Sequence, residues 1–121
     1  MSAMNEETRK FQKELNAGTT ALVLLSVLDQ AKEPMYGYQI AKLIEANSDD
    51  VPILKQGALY PVLRALESSN LLESEVEPSV SGPPRRYYRI TDTGRETLEK
   101  WKDIWTRTKI LVDTILRGEE R

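Results

Sequence analysis

After Asn70 the apolar spacing of the chain changes. Upstream, apolar residues recur every three and four positions. From Leu72 to Glu77 they alternate, with Leu72, Ser74 and Val76 on one side and Glu73, Glu75 and Glu77 on the other, which is the period of a strand. A loop, Pro78-Ser79-Val80-Ser81-Gly82-Pro83-Pro84, leads into a second strand-like run, Arg85-Arg86-Tyr87-Tyr88-Arg89-Ile90. One hairpin set among helices restricts the fold to a mainly α class with a small β-hairpin. Placing Glu77 opposite Arg85 sets Glu75 against Tyr87, Glu73 against Arg89 and Leu72 against Ile90. That register keeps complementary charges outside and apolar groups inside.

The segments before the hairpin read as four helices. Residues 5–17 form a thin amphipathic helix capped by Asn5, with Glu6 and Glu7 at its positive start and Gly18 as a stop. Met4, Phe11 and Leu15 are its only apolar marks, so it must lie against something. A second helix, capped by Thr19 or Thr20 and running to about Lys32, is apolar nearly all round from Ala21 to Leu28 and forms the buried centre. Pro34 breaks the chain. A third helix opens at Tyr36-Gly37-Tyr38, with Ile40, Leu43 and Ile44 at helical spacing, and ends in the polar turn Asn47-Ser48-Asp49-Asp50. Val51-Pro52-Ile53-Leu54 is an extended bridge. The fourth helix, Lys55 to Glu67, puts Leu59, Val62, Leu63 and Leu66 on one face and Tyr60, Arg64 and Ser68 on the other, and Pro61 bends it or delays its start. Two short helices joined by a turn, followed by the hairpin, outline a winged helix-turn-helix.

A long helix follows, with Thr91 or Thr93 as its cap and Gly118 as its end. Leu98, Trp101, Trp105, Thr108, Val112 and Ile115 step by alternating threes and fours, a heptad seam widened by Ile104 and Leu111. Only the thin N-terminal helix remains to cover it. A second copy of the chain is therefore the expected partner, with Phe11, Leu15, Leu98, Trp101, Trp105, Val112 and Ile115 at the interface. The expected organisation is an accessory helix over residues 1–18, a winged helix-turn-helix domain over 19–91 and a dimerisation helix over 92–121.

Composition narrows the chemistry. The 121 residues contain neither Cys nor His, which removes disulfides, thiol nucleophiles, imidazole catalysis and zinc sites built on those side chains. No metal, no cofactor and no enzymatic activity are expected; Asp49-Asp50 reads as a helix terminator. The run from Ala21 to Leu28 is too short to span a bilayer. The N-terminus lacks the basic-then-apolar order of a signal peptide, so a cytoplasmic location is expected. The net charge is −2, but from Gly82 to Arg95 four arginines face only Asp92, so the wing is locally basic.

Three motifs in this order resemble the PadR family of bacterial transcriptional regulators. They are Tyr36-Gly37-Tyr38; Gly57-Ala58-Leu59-Tyr60-Pro61 with Leu63, Leu66 and Glu67; and Gly82-Pro83-Pro84-Arg85-Arg86-Tyr87-Tyr88 with Ile90-Thr91 and Gly94. The single long helix after the wing resembles the compact branch of that family. The resemblance implies a homodimeric repressor acting on its own promoter or on a neighbouring efflux or detoxification gene, with a double-stranded palindromic operator as its partner. It also implies that the fourth helix enters the major groove, Gln56 and Arg64 near base edges and Lys55 and Tyr60 on phosphates. Tyr38, Ala58, Gly82, Arg85 and Arg86 complete the expected DNA surface, with Arg86 favoured because no glutamate faces it. Where the family carries small hydroxyl residues around Gly57, this chain has Lys55 and Ala58. The compact branch often places a Trp beside a hollow between subunits, which points to Trp105, and secondarily Trp101, as a stacking surface for a small aromatic or drug-like effector.

A different class of function is also open. The acidic net charge and the glutamates of the first wing strand suit a protein-interaction adaptor that keeps the winged-helix fold without binding DNA.

Overall fold

The computed structural model describes residues 5–48 and 56–119. The expected bridge from Val51 to Leu54, and Asp49 and Asp50 of the turn before it, lie outside the described residues. The elements are α1 (Glu6–Gln30), β1 (Met35–Tyr36), α2 (Gly37–Asn47), α3 (Gln56–Ser68), β2 (Leu72–Glu77), β3 (Arg85–Ile90) and α4 (Asp92–Leu116).

The expected break at Gly18 does not occur. α1 is one 25-residue helix, started by the Asn5 side chain, which accepts a hydrogen bond from the Thr8 N–H. Thr19 and Thr20, expected to cap a new helix, instead donate their hydroxyls back to the Leu15 and Asn16 carbonyls. Hydroxyls bonded to the preceding turn belong inside a helix. Gly18 therefore costs α1 about 1 kcal/mol of helix propensity without ending it. Nor does Pro61 delay α3, which begins at Gln56 and contains it.

α1, α2, α3 and the sheet enclose one core: Leu24, Leu25 and Leu28 of α1, Ile40 and Ile44 of α2, Leu59, Leu63 and Leu66 of α3, and Leu72, Tyr88 and Ile90 of the hairpin. Leu98 also lies there, fully buried. Leu98 was expected on the dimer seam; it is instead the residue that anchors α4 to its own domain, and the exposed part of the seam begins further along.

The hairpin has the expected register, Leu72↔Ile90, Glu73↔Arg89, Glu75↔Tyr87 and Glu77↔Arg85. A third strand, β1, pairs antiparallel with β3 through Met35↔Tyr88 and Tyr36↔Tyr87, giving the order β1-β3-β2. Two residues after Pro34 offer no alternation to read, so β1 is invisible in sequence.

The joints around the hairpin are local. Asn70 adopts φ 63, and the Leu71 and Asn70 N–H groups donate to the Leu66 and Glu67 carbonyls. This left-handed cap ends α3 with a residue that tolerates the conformation. The Thr91 hydroxyl accepts from the Gly94 N–H and donates to the Asn70 carbonyl, at 2.9 and 2.7 Å, so the start of α4 is stitched to the end of α3. Gly94 is required there, because a Cβ would run into the Leu71 carbonyl. Arg95 reaches Asp29 at 3.4 Å and ties α4 to the end of α1.

Candidate nucleic-acid interface

Burying Leu59, Leu63 and Leu66 fixes which way α3 faces. Each buried leucine contributes roughly 1.5–3 kcal/mol, so this helix is held firmly and its other side is presented outward. Arg64 and Ala58 are exposed on that side and Tyr60 is half-buried. Lys55 lies outside the described residues, and of Gln56 only the backbone is described.

Tyr60 explains two motifs at once. A Cβ on Gly37 would stand 2.6–2.9 Å from the Tyr60 ring and hydroxyl. Gly37 is thus the floor on which Tyr60 lies, and the Tyr-Gly-Tyr and Gly-Ala-Leu-Tyr-Pro motifs are two halves of one contact between α2 and α3.

Beside this contact is a groove of about 310 Å³, lined by Tyr36, Tyr60, Arg64, Arg85, Arg86 and Tyr88. It brings the N-terminus of α2, the outer side of α3 and the loop end of β3 together, with three arginines on its walls. Tyr88 is buried beneath it. Desolvation first, and then the Glu67 carboxylate, push its phenol above the ordinary 10.0, against the opposing pull of Arg86 and Arg64.

The four wing arginines divide. Arg89 is ion-paired with Glu73 at 2.6 Å, and Arg95 with Asp92 and Asp29. Arg85 stands opposite Glu77 in register, yet its guanidinium lies 4.5 Å from the Tyr36 ring centroid. Arg86 donates to the Ser74 hydroxyl at 2.9 Å, turned toward α3. Among the described residues Arg64 and Arg85 form no ion pair with a carboxylate. Gly82, exposed at the wing tip, takes φ 141, where a side chain would be strained.

Sequence reasoning left Tyr36 and Lys42 out of the surface. Tyr36 packs edge-on against Tyr87 at 5.4 Å and stacks with Tyr38 at 6.4 Å, and the Lys42 ammonium sits 5.5 Å from the Tyr38 ring. Arg85, Tyr36, Tyr38 and Lys42 therefore form a row of cation, ring, ring and cation. The i, i+4 spacing of Tyr38 and Lys42 was the available signal.

On the other side of the molecule, two apolar hollows flank Trp105. One, of about 420 Å³, is lined by Leu15, Gly18, Leu22, Trp101 and Ile104; the other, of about 390 Å³, by Leu22, Val23, Val27 and Lys102. Trp101 is half-buried against its own core, while the Trp105 indole is 42% exposed. Among the described residues no cluster of acidic side chains could hold a metal ion, and no helix is long and apolar enough to cross a membrane.

Two consecutive short helices, a hairpin joined by a third strand and a groove lined by three arginines are the parts of a winged helix. Residues 24–100 match the family model of PadR-like transcriptional regulators. A PadR family transcriptional regulator from Eggerthella lenta superposes with a TM-score of 0.74 at 34% identity, over 89% of this chain and 90% of that one. A PadR-like transcriptional regulator from Bacillus cereus gives 0.68 at 33% identity, over 88% and 99%. An uncharacterised protein of Lysinibacillus sphaericus is 28% identical over 100 residues, 83% of this chain and 89% of that protein. The chain belongs to the PadR-like family; it is a DNA-binding transcriptional regulator and not an enzyme.

Proposed function

We propose that the chain is a homodimeric repressor that grips a palindromic operator through α3 and the wing and is released by a small planar aromatic ligand. The carrying observation is the division of its surface. The groove of Arg64, Arg85 and Arg86 lies between α3 and the wing, while Ile104, Trp105, Leu111, Val112 and Ile115 of α4 are exposed. Leaving that stripe wet is costly at about 25 cal/mol per Å². Two copies joined along it carry two α3 helices, which a palindrome with half-sites ~34 Å apart requires. Phe11 and Leu15, also exposed, extend the same apolar side, so residues 1–18 and 92–121 serve association and residues 19–91 read DNA.

On this reading Arg64, expected near base edges, joins Arg85 on phosphates because both line the groove beside the wing; Lys55 and Tyr60 lie beside them, Tyr38 and Lys42 flank them, and Gln56 and Ala58 meet base edges. Occupying the operator excludes other proteins from it, which is repression. The Trp105 hollows supply the release. A flat ring stacked on the indole changes how the α4 helices meet, and with it the separation of the two α3 helices.

DNA from the region upstream of the chain's own gene, titrated by fluorescence anisotropy at rising salt, tests the first half. Affinity should fall steeply as salt rises. Absence of binding at low salt would favour the adaptor reading, with the Glu73, Glu75 and Glu77 side of the sheet as its contact. Planar cationic dyes should quench tryptophan fluorescence and weaken DNA binding; no quenching would count against the effector.

A further inference from the structure

The wing is fastened to α3 by three side chains in series. Glu67, in the last turn of α3, accepts a hydrogen bond from the Ser74 hydroxyl of β2 at 2.5 Å. The same hydroxyl oxygen accepts from Arg86 Nη1 of β3 at 2.9 Å. A carboxylate and a guanidinium are thus joined through one hydroxyl, and bonds with an ionised partner are the stronger kind. In register Ser74 stands opposite Tyr88 and Val76 opposite Arg86, so Ser74 and Arg86 are diagonal neighbours on the side of the sheet that faces α3. The link also lies further along the hairpin than its apolar root, Leu72↔Ile90. β1 holds β3 only as far as Tyr87; beyond it the arm is two-stranded, and a tie from Arg86 to α3 limits its swing.

We infer that Glu67, Ser74 and Arg86 form a brace that sets the wing's angle against α3. Arg86 then acts as a positioning residue, and Arg85 and Arg64 are the cations offered to phosphate. The inference rests on the groove being a DNA interface, and it assigns different work to adjacent arginines of one wing. Among the described residues Arg85 lies against the Tyr36 ring and makes no charged hydrogen bond, so it can turn to a phosphate without breaking one. Arg86 would give up its hydrogen bond to Ser74 by turning away from α3.

The experiment uses the whole chain and a duplex that the wild-type protein selects from a random-sequence library, with affinity read by anisotropy across a salt series. Ser74→Ala and Arg86→Gln should each weaken binding roughly three- to tenfold, and together no more than either alone. Both should leave the slope of log affinity against log salt unchanged, and Ser74→Thr, which keeps the hydroxyl, should bind as wild type. Arg85→Gln should lower the slope by about 0.9, the signature of one lost phosphate contact. A slope lowered by about 0.9 in Arg86→Gln, with Ser74→Ala unaffected, would overturn the brace.

Hydrogen exchange on the free protein gives a reading independent of DNA. Ser74→Ala should speed exchange of the β2 and β3 amides roughly three- to tenfold, and unchanged exchange would overturn the brace. A wild-type chain that selects no duplex would instead sink the interface reading, and exchange would still decide the brace.

Discussion

α3 and α4 are both amphipathic, and the fold uses their apolar sides differently. In α3, Leu59, Leu63 and Leu66 are 1%, 0% and 5% exposed, so its apolar side is satisfied within the monomer and its polar side is free. In α4 Leu98 is buried and Trp101 half-buried in the first turns; further along Thr114 is buried, but Ile104, Leu111, Ile115 and Leu116 stand 59%, 56%, 66% and 79% exposed. A helix whose apolar side is spent can offer its charges to another molecule. A helix whose apolar side is unspent asks for more apolar surface. The contrast separates reading DNA from pairing with a second copy, and substitutions can be chosen to break one without the other.

The largest effect is expected from Leu111→Glu with Ile115→Glu. Burying an ionised carboxylate in an apolar seam costs several kcal/mol, so light scattering should report a monomer with unchanged helix content. Losing the tethered second half-site should weaken palindrome binding roughly a hundredfold or more. Next is Arg64→Gln with Arg85→Gln, which should leave the dimer intact, weaken binding by roughly ten- to a hundredfold and flatten the salt slope by about 1.8, two contacts' worth.

Smaller effects test how the two helices are seated. Gly37→Ala puts a methyl group against the Tyr60 ring. Overpacking of this kind costs roughly 1–3 kcal/mol and should lower Tm by several degrees in a thermal melt. Gly18→Ala meets open space, so it should raise stability by about 1 kcal/mol through helix propensity while leaving DNA affinity unchanged. The mildest test is alkaline. Burial raises the Tyr88 phenol above its ordinary 10.0, so the folded chain keeps a proton that the unfolded chain releases. Its stabilising share is complete below pH 10 and declines as pH rises through the folded-state value. Tyr88→Phe should remove that part of the decline in a chemical melt followed against pH.

The hairpin register was legible because Glu73, Glu75 and Glu77 alternate with residues on the inner side and Arg85 and Arg89 answer them. The buried side of α3 was legible from four apolar residues at helical spacing. Helix ends were less so. Gly18 looked like a stop because glycine favours helix ends, but the buried Leu24, Leu25 and Leu28 downstream carry α1 through it, and Thr19 and Thr20 bond back to the preceding turn instead of capping. The interface was legible in composition and not in detail. Arg86 stood out for lacking a facing glutamate, yet its partner is Glu67 through Ser74, across a diagonal and a helix that no alternation rule connects. Arg85 had the facing glutamate, Glu77, and lies on Tyr36 instead, because the unforeseen β1 brings that ring alongside. Leu98 kept the heptad phase of α4 but not its exposure, since phase alone does not say where a helix leaves its domain.

The most direct measurement is a hydroxyl-radical footprint of the wild-type chain on a selected duplex. Two protected patches about one helical turn apart on one face of the DNA, both lost in the Leu111→Glu/Ile115→Glu chain, are what a twofold pair of α3 helices joined through α4 predicts. A single patch, or a pair that survives the loss of the dimer, would contradict it.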